Sequence, residues 1–233
     1  MISGDNMANT KTNIKKLSVT AVLCALAYLC MFVFRFKVGF LTFDFKDAIL
    51  AVISFLYGPV YGVLSSLVVS FLELITVSDT GLYGFVMNFL SSAAFAGVCG
   101  IFYKYKRTLS GAIIGSVCAM VIMTAVMLIA NVFITPLYMI SKGNDITQFD
   151  IIQMIPTLLL PFNLLKGAFN AAITMIIYKP ITAVLKKMGL MSGSKNTQKG
   201  RFVIVAVVSV IVIIAATFII LGLLNGSFQL LGK

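Results

Sequence analysis

The chain has 233 residues, of which 60% are hydrophobic and only 11% are charged, whereas soluble globular domains carry about 25% charged residues. This composition excludes a chain that folds mainly in water and leaves almost no room for a soluble domain beside the apolar segments. The formal net charge of +11 does not indicate nucleic-acid binding, because the basic residues lie in loops between apolar segments, where membrane topology explains them.

Seven apolar segments follow one another along the chain, and each is predicted to be a helix. The second segment is short for a membrane span, and the turn Tyr57-Gly58-Pro59 predicts that it forms a tight hairpin with the third. We therefore predict an all-α polytopic membrane bundle with a six-helix core and a seventh transmembrane helix. The predicted helices cover residues 17–34, 47–57, 60–77, 81–102, 110–135, 155–178 and 202–224.

These segments divide the chain into four parts. Residues 1–16 form a polar tail, and residues 17–190 form the six-helix membrane domain. Residues 191–201 are a basic linker, and residues 202–233 hold the additional transmembrane segment with its tail. The first apolar run lacks a small-residue cleavage site, which predicts a retained helix and not a signal peptide.

The loops between the predicted helices sort by charge into two sides. One side holds 12 of the 18 basic residues and is predicted to be cytoplasmic, together with the N-terminus. The opposite side receives six of the seven acidic residues. The basic set is Lys11, Lys15, Lys16, Lys104, Lys106, Arg107, Lys179, Lys186, Lys187, Lys195, Lys199 and Arg201, and the acidic set is Asp44, Asp47, Glu73, Asp79, Asp145 and Asp150.

Several kinds of chemistry are missing from the sequence. The chain has no histidine and no CxxC pair, so we expect no metal site. It also has no Walker motif and no recognisable catalytic motif, so we expect neither an enzyme nor a cofactor. Glu73 is the only carboxylate inside an apolar run, whereas ion-coupled carriers usually need such groups near the membrane midplane. If the chain moves a ligand across the membrane, the energy must therefore come from elsewhere, or the chain only equilibrates its ligand.

A few polar side chains remain within the predicted helices, and they are candidates for ligand binding because unpaired polar groups are costly in hydrocarbon. Asn163 and Lys166 are three residues apart and share a helical face, and Asn131 and Asn88 lie in other helices. A carboxamide suits the edge of a heteroaromatic ring, and a lysine donates to hydroxyls or carbonyls. The outer loop, residues 40–47, alternates aromatic and polar residues and resembles a lid for a flat ligand.

Each of these features also has a simpler structural interpretation. Asn88 can form an interhelical hydrogen bond, and Lys166 can extend to the outer interface of the membrane. The loop phenylalanines Phe40, Phe43 and Phe45 can form an interfacial aromatic belt. The amides and the lysine fall in the same outer half of the predicted bundle, which favours a binding site over these separate interpretations.

Several short motifs together resemble a known family. They are a lysine-bearing N-terminal tail, the AxxxA pair Ala21 and Ala25, the loop FDFKD at 43–47, the turn YGP at 57–59, the segment GFVMNFL at 84–90, Asn131 followed by PLY at 136–138, and PFNLLKG at 161–167. Over roughly residues 15–190, the chain resembles the substrate-binding S component of energy-coupling factor (ECF) transporters, specifically its riboflavin-binding members.

The resemblance implies a six-helix bundle in a bacterial cell membrane that binds riboflavin from outside. It also implies docking on a membrane-embedded T component driven by two cytoplasmic ATPases, with Ala21 and Ala25 on the docking face. Asn131 and Asn163 would then bond the flavin ring, and Lys166 would bond the ribityl hydroxyls. The riboflavin-binding residues implied are Leu41, Thr42, Phe43, Gly84, Met87, Asn88, Asn131, Asn163 and Lys166.

Two alternatives remain open, namely the same fold serving flavin mononucleotide or another vitamin, and a stand-alone membrane facilitator. Two features depart from the family pattern. The family bundle has six helices, whereas this chain has a seventh apolar segment. In addition, Leu29 stands where a third alanine would continue the docking face. A phosphorylated ligand would call for additional cations near the outer site, and those available are Arg35, Lys37, Lys46, Lys142 and Lys166.

Overall fold

The computed structural model describes residues 3–38, 40–144, 146–188, 203–211 and 213–215. Helices dominate these residues, which confirms the predicted all-α bundle. The elements are α1 (Ser3–Val33), β1 (Phe36–Val38), β2 (Leu41–Phe43), α2 (Lys46–Tyr57), α3 (Pro59–Thr76), α4 (Gly81–Tyr105), α5 (Leu109–Ser141), α6 (Gln148–Met154), a π-helical segment (Ile155–Leu159) and α7 (Leu160–Lys187).

Among the described residues, five helical spans are long and apolar enough to cross a membrane. They identify the chain as a multi-pass membrane protein. The last span combines α6, the π-helical segment and most of α7. The spans are Asn13–Val33, Pro59–Thr76, Gly81–Tyr105, Leu109–Ser141 and Gln148–Val184.

Helix α2 is the short member of the bundle, as the sequence predicts. Its 12 residues are only about 18 Å long at the usual helical rise, against a hydrocarbon thickness of about 30 Å. The turn to α3 consists of Gly58, whose φ of 101° lies in the left-handed region that favours glycine, and Pro59 occupies the first turn of α3. The predicted tight helical hairpin is confirmed.

The outer segment before α2 is not the loop that the sequence predicts. Strands β1 and β2 pair antiparallel, with Phe36 opposite Phe43 and Lys37 opposite Thr42. Leu41 and Phe43 are buried and Thr42 is half-buried, which is the two-residue periodicity of a strand.

Helix α1 begins at Ser3 and not at the predicted residue 17. The polar residues that precede the apolar run contain neither proline nor, after Gly4, glycine, so nothing in them stops the helix. Hydropathy shows where the apolar part of a helix begins, and the helix itself can begin several residues earlier.

Helix α5 also differs from its prediction, because it continues through Pro136 to Ser141 instead of ending at Thr135. Proline removes one backbone donor, and membrane helices tolerate this loss when neighbouring groups satisfy the freed carbonyl. The residues after Pro136 are again apolar, so the segment can remain in the bundle.

The last long helix starts earlier than the predicted residue 155. A capping box between Thr147 and Asp150 begins α6, in which each residue's side chain is bonded to the other's backbone N–H. The π-helical segment Ile155–Leu159 then contains Pro156, and Pro161 lies in the first turn of α7. Wider helical turns often occur near functional sites, and this one ends three residues before Phe162.

Close helix packing in the bundle depends on small residues of α4. A Cβ atom added at Gly100 would lie 2.8 Å from the Cα of Pro59, whereas one added at Gly97 would meet only a methyl group of Val63, at 3.3 Å. The backbone of Pro59 cannot move as easily as the side chain of Val63. Position 100 therefore requires glycine more strictly than position 97 does.

We expect Gly100→Ala to lower the melting temperature of the detergent-solubilised protein. Overpacking typically costs about 1 to 3 kcal/mol, which exceeds the gain in helix propensity of about 1 kcal/mol. Gly97→Ala is the matched control, since it adds the same methyl group to the same helix and should leave the melting temperature near or above that of the wild type. Equal shifts in the two variants would contradict this account of the α3–α4 contact.

The described part of the seventh predicted segment, residues 203–211 and 213–215, is helical. Val205 packs against a core cluster that includes Met123 and Met175, and Ile213 packs against another that includes Phe162 and Phe169. The rest of the predicted helix over residues 202–224 and the linker over residues 191–201 lie outside the described residues. Their assignment as separate parts of the chain stays a prediction.

Candidate functional site

A cavity opens between the β1–β2 hairpin, α4, α5 and α7. The lining residues of each helix recur at intervals of three or four, so each helix presents one face to the cavity. Its wall consists of Arg35, Phe40, Leu41, Thr42, Thr80, Tyr83, Gly84, Met87, Asn88, Ser91, Met127, Asn131, Ile134, Thr135, Tyr138, Phe162, Asn163 and Lys166.

Eight of the nine residues predicted to bind substrate line this cavity, and Phe43 is the ninth. Phe43 is buried beside the wall and packs edge-to-face on Phe162 and Phe169. It therefore supports Phe162, which does line the cavity. The contribution of the eight lining residues to binding stays a prediction. They are Leu41, Thr42, Gly84, Met87, Asn88, Asn131, Asn163 and Lys166.

The two buried amides of the wall are each fixed by their own helix. Asn131 Nδ2 donates to the carbonyl of Met127 at 2.7 Å, and its Oδ1 accepts from Thr135 Oγ1 at 2.9 Å. Asn163 Nδ2 donates to the carbonyl of Leu159 at 2.8 Å. An amide nitrogen carries two hydrogens, and these bonds use only one of them. The bonds orient both carboxamides before any ligand arrives.

Lys166 also lines the cavity, and its side chain does not extend to the membrane interface. The residue is 4% exposed, and its Nζ donates to Asp44 Oδ2 at 3.1 Å. Asp44 itself is fully buried behind the wall. The interpretation of Lys166 as an interfacial lysine is therefore wrong, whereas its predicted position on the inner face with Asn163 is confirmed.

A larger set of buried charges continues from this pair. Lys46 is fully buried, forms an ion pair with Glu73 and lies 3.9 Å from Asp44 Oδ2. Arg35 Nη2 lies 4.0 Å from Glu73 Oε1. Asp47 is also fully buried, and its Oδ1 accepts a hydrogen bond from Ser92. We call these six residues the charge cluster: Arg35, Asp44, Lys46, Asp47, Glu73 and Lys166.

The charge cluster corrects one sequence prediction. Glu73 is not the only carboxylate inside the bundle, because Asp44 and Asp47 are fully buried as well. Hydropathy treats each charge separately and assigns it to water. Charges that neutralise one another can be buried together, although an isolated buried charge would be very costly.

Asn170 fixes the base of the site, although the sequence analysis did not select it. Its Nδ2 donates to the carbonyls of Asp44 and Lys166, at 3.1 and 3.0 Å, and its Oδ1 accepts from the N–H of Ala48 at 3.0 Å. The fully buried amide thereby joins the start of α2 to α7. Its spacing from Asn163 and Lys166, seven and four residues, places it on the same helical face and could have identified it.

Other lining residues were also missed. Thr80, Tyr83 and Ser91 continue the α4 face that carries Gly84, Met87 and Asn88, and Tyr138 continues the α5 face of Asn131. Helical periodicity from the chosen residues would have found them. Helical periodicity could not identify Arg35, because this residue follows α1 in irregular backbone. Its Nη1 donates to the carbonyl of Val77 at 2.7 Å.

A surface contact ties the hairpin to the loop between α3 and α4. Lys37 of β1 forms an ion pair with Asp79, and both side chains are exposed. The hydrogen bond and the positive charge of the Lys37 ammonium hold the pKa of the Asp79 carboxyl below its usual value. Arg35, directly before β1, also bonds to Val77 in this loop, so two contacts join this end of the hairpin segment to the α3–α4 loop.

Outside the cavity, Ala21 and Ala25 are exposed on the surface of α1, next to the exposed Leu17 and Leu29. Their position is open to a partner helix or to lipid, so the docking role stays a prediction. No group of three or more potential ligands gathers around a metal position in the parts of the chain that the structure describes.

The chain is similar to several known proteins. A family model described as the ECF transporter substrate-specific component matches residues 15–178. The chain is 31% identical over 194 residues to the riboflavin transporter RibU of Staphylococcus aureus, a match that covers 80% of this chain and 100% of the relative. It is 30% identical over 188 residues to the riboflavin transporter RibU of Streptococcus thermophilus, covering 76% of this chain and 87% of the relative.

A solved structure reported under the heading "Structure and mechanism of the S component of a bacterial ECF transporter" is also similar. The TM-score is 0.61 at 29% sequence identity, and the match covers 75% of this chain and 99% of that chain. The family match ends within α7, so the helical residues 203–211 and 213–215 lie beyond it.

Proposed function

This chain belongs to the family of substrate-specific (S) components of ECF transporters, and from that membership we propose that it captures riboflavin outside the cell for import. The observation that carries the proposal is the convergence of Asn131, Asn163 and Lys166 on one cavity. Two relatives named as riboflavin transporters support the choice of ligand.

The cavity wall suits the two chemically different parts of riboflavin. Asn131 and Asn163 offer oriented amides to the polar edge of the isoalloxazine ring, and Lys166 donates to the ribityl hydroxyls. Phe40 and Tyr83 offer aromatic surface to the flat ring. The ligand enters beside the β1–β2 hairpin, whose Leu41 and Thr42 form one side of the cavity.

We further propose that the energy for import comes from separate subunits. The sequence contains no Walker motif, so the chain supplies no ATPase of its own. A membrane-embedded T component with two cytoplasmic ATPases fills this role in the proposal, and it docks on the exposed face of α1 that carries Ala21 and Ala25. The chain itself carries out no catalytic step.

The proposed orientation places the N-terminus in the cytoplasm of a bacterial cell. The basic residues at the start of α1, between α4 and α5 and at the end of α7 then lie on the cytoplasmic side. The cavity, which lies between the hairpin and the opposite ends of the helices, then faces the outside. Protease accessibility of tags at position 1 and in the segment 142–147 would test this orientation.

Titration of the purified protein with riboflavin, monitored by quenching of flavin fluorescence, tests the proposed ligand. We expect tight, saturable quenching and a yellow protein if riboflavin co-purifies. Absence of saturable quenching would overturn the proposal, and tight binding of flavin mononucleotide alone would establish the alternative ligand. Riboflavin uptake into vesicles that contain only this chain would favour a stand-alone facilitator.

We expect Asn163→Ala to weaken riboflavin binding by about 1 kcal/mol, or roughly fivefold, which is the net value of one neutral hydrogen bond. The riboflavin affinity of Asn88→Ala is measured for comparison, because Asn88 lies on α4, another helix of the cavity wall. The measurement is the same quenching titration, with the melting temperature as a check on folding. An unchanged affinity in Asn163→Ala would place the ring edge elsewhere in the cavity.

A further inference from the structure

The charge cluster contains equal numbers of basic and acidic side chains, and they are arranged in two layers. Arg35 and Lys166 line the cavity, whereas none of the three carboxylates does. The carboxylates Asp44, Asp47 and Glu73 lie behind the wall together with Lys46, and all four are fully or almost fully buried. The cavity therefore presents N–H donors to a ligand, while the charge of these donors is already balanced from behind.

Asp44 is the carboxylate that balances Lys166, the cation proposed to bond the ribityl hydroxyls. Its Oδ2 lies 3.1 Å from the Nζ of Lys166 and 3.9 Å from the Nζ of Lys46. Its backbone carbonyl accepts a hydrogen bond from Asn170, which joins the backbone of Asp44 to α7. Since Asp44 has no exposure to solvent, water and salt screen its charge only weakly.

This balance has opposite consequences for neutral and anionic ligands. A hydroxyl or carbonyl oxygen can accept a hydrogen bond from Lys166 without disturbing the ion pair. A phosphate would introduce one or two negative charges close to the buried Asp44, and no further cation of the cluster lines the cavity except Arg35. A negative charge that is brought next to a buried carboxylate without a further cation is unfavourable.

We propose that Asp44 is a specificity-determining residue, which neutralises Lys166 at the cavity wall and makes the site select an uncharged flavin over its phosphorylated form. The inference rests on the proposed function, because it concerns the ligand of the same cavity. Asp44 acts through Lys166 and does not itself touch the ligand.

The test compares riboflavin with flavin mononucleotide on the full-length protein in detergent. The quantity measured is the ratio of the two dissociation constants, flavin mononucleotide over riboflavin. Asp44→Asn keeps the shape of the side chain and removes its charge, and we expect it to lower this ratio by about tenfold or more, since the charge is close and poorly screened. Asp79→Asn is the control, because it removes an exposed carboxylate outside the cavity wall and should leave the ratio within about twofold.

A second measurement uses the wild-type protein and does not depend on the folding of a variant. The phosphate of flavin mononucleotide gains its second charge with a pKa of about 6, so it is mainly a monoanion at pH 5 and a dianion at pH 8. We expect the wild-type ratio to rise severalfold between these pH values.

The outcomes separate the inference from the proposed function. The inference on Asp44 would be overturned if the ratio were unchanged in Asp44→Asn or failed to rise with pH in the wild type. Tight binding of riboflavin by the wild type would still support the proposed function. Absence of riboflavin binding by the wild type would overturn the proposed function itself.

Discussion

Lys46→Met is expected to destabilise the protein more than any other single substitution considered for the charge cluster. The side chain is fully buried, forms an ion pair with Glu73 and lies 3.9 Å from Asp44. Methionine has a similar length, so the variant removes the positive charge and leaves little empty space. Breaking a buried ion pair by removing one partner typically costs about 3 to 5 kcal/mol, because the remaining charge stays buried without compensation.

The measurement is the melting temperature in detergent, together with the yield of folded protein. Lys37→Met is the matched control, because it makes the same substitution in an ion pair that is exposed. Exposed pairs contribute little to stability, so this variant should melt close to the wild type. Similar losses in both variants would mean that the burial of Lys46 does not determine its contribution.

Hydropathy predicts most of this fold, because spans of apolar residues must be helical in a membrane. The predicted positions of α2, α3 and α4 agree with the structure to within three residues at each end. The prediction failed where polar residues belong to a helix or to the interior. The polar start of α1 and the capping box of Thr147 and Asp150 begin helices that hydropathy alone does not mark.

Eight of the nine predicted substrate-binding residues line the cavity, although their role in binding stays a prediction, and the electrostatics of the site was not predicted. The helical face shared by Asn163 and Lys166 is local, so the sequence spacing was sufficient to place them together. The pairing of Lys46 with Glu73 and of Asp44 with Lys166 joins residues 27 and 122 positions apart. Such contacts depend on how the helices pack, and no local pattern in one sequence specifies them.

Lys166→Met is expected to cause the largest loss of riboflavin affinity. A hydrogen bond from a charged donor contributes about 1.5 to 3 kcal/mol, which corresponds to a loss of roughly tenfold to 150-fold. Lys142→Met is the control, since Lys142 is exposed near Tyr138 and does not line the cavity. An affinity loss in the Lys142 variant as large as that in the Lys166 variant would point to a general effect of outer positive charge.

The double variant Asp44→Asn, Lys166→Met separates binding from folding. Lys166→Met alone leaves Asp44 without its closest cation, so part of any affinity loss could reflect a distorted wall. Removing both charges eliminates that buried imbalance, and we expect the melting temperature to recover toward the wild-type value. Riboflavin affinity should not recover, because the donor to the ligand is still absent. Recovery of both quantities would instead make Lys166 a structural partner of Asp44 and not a ligand contact.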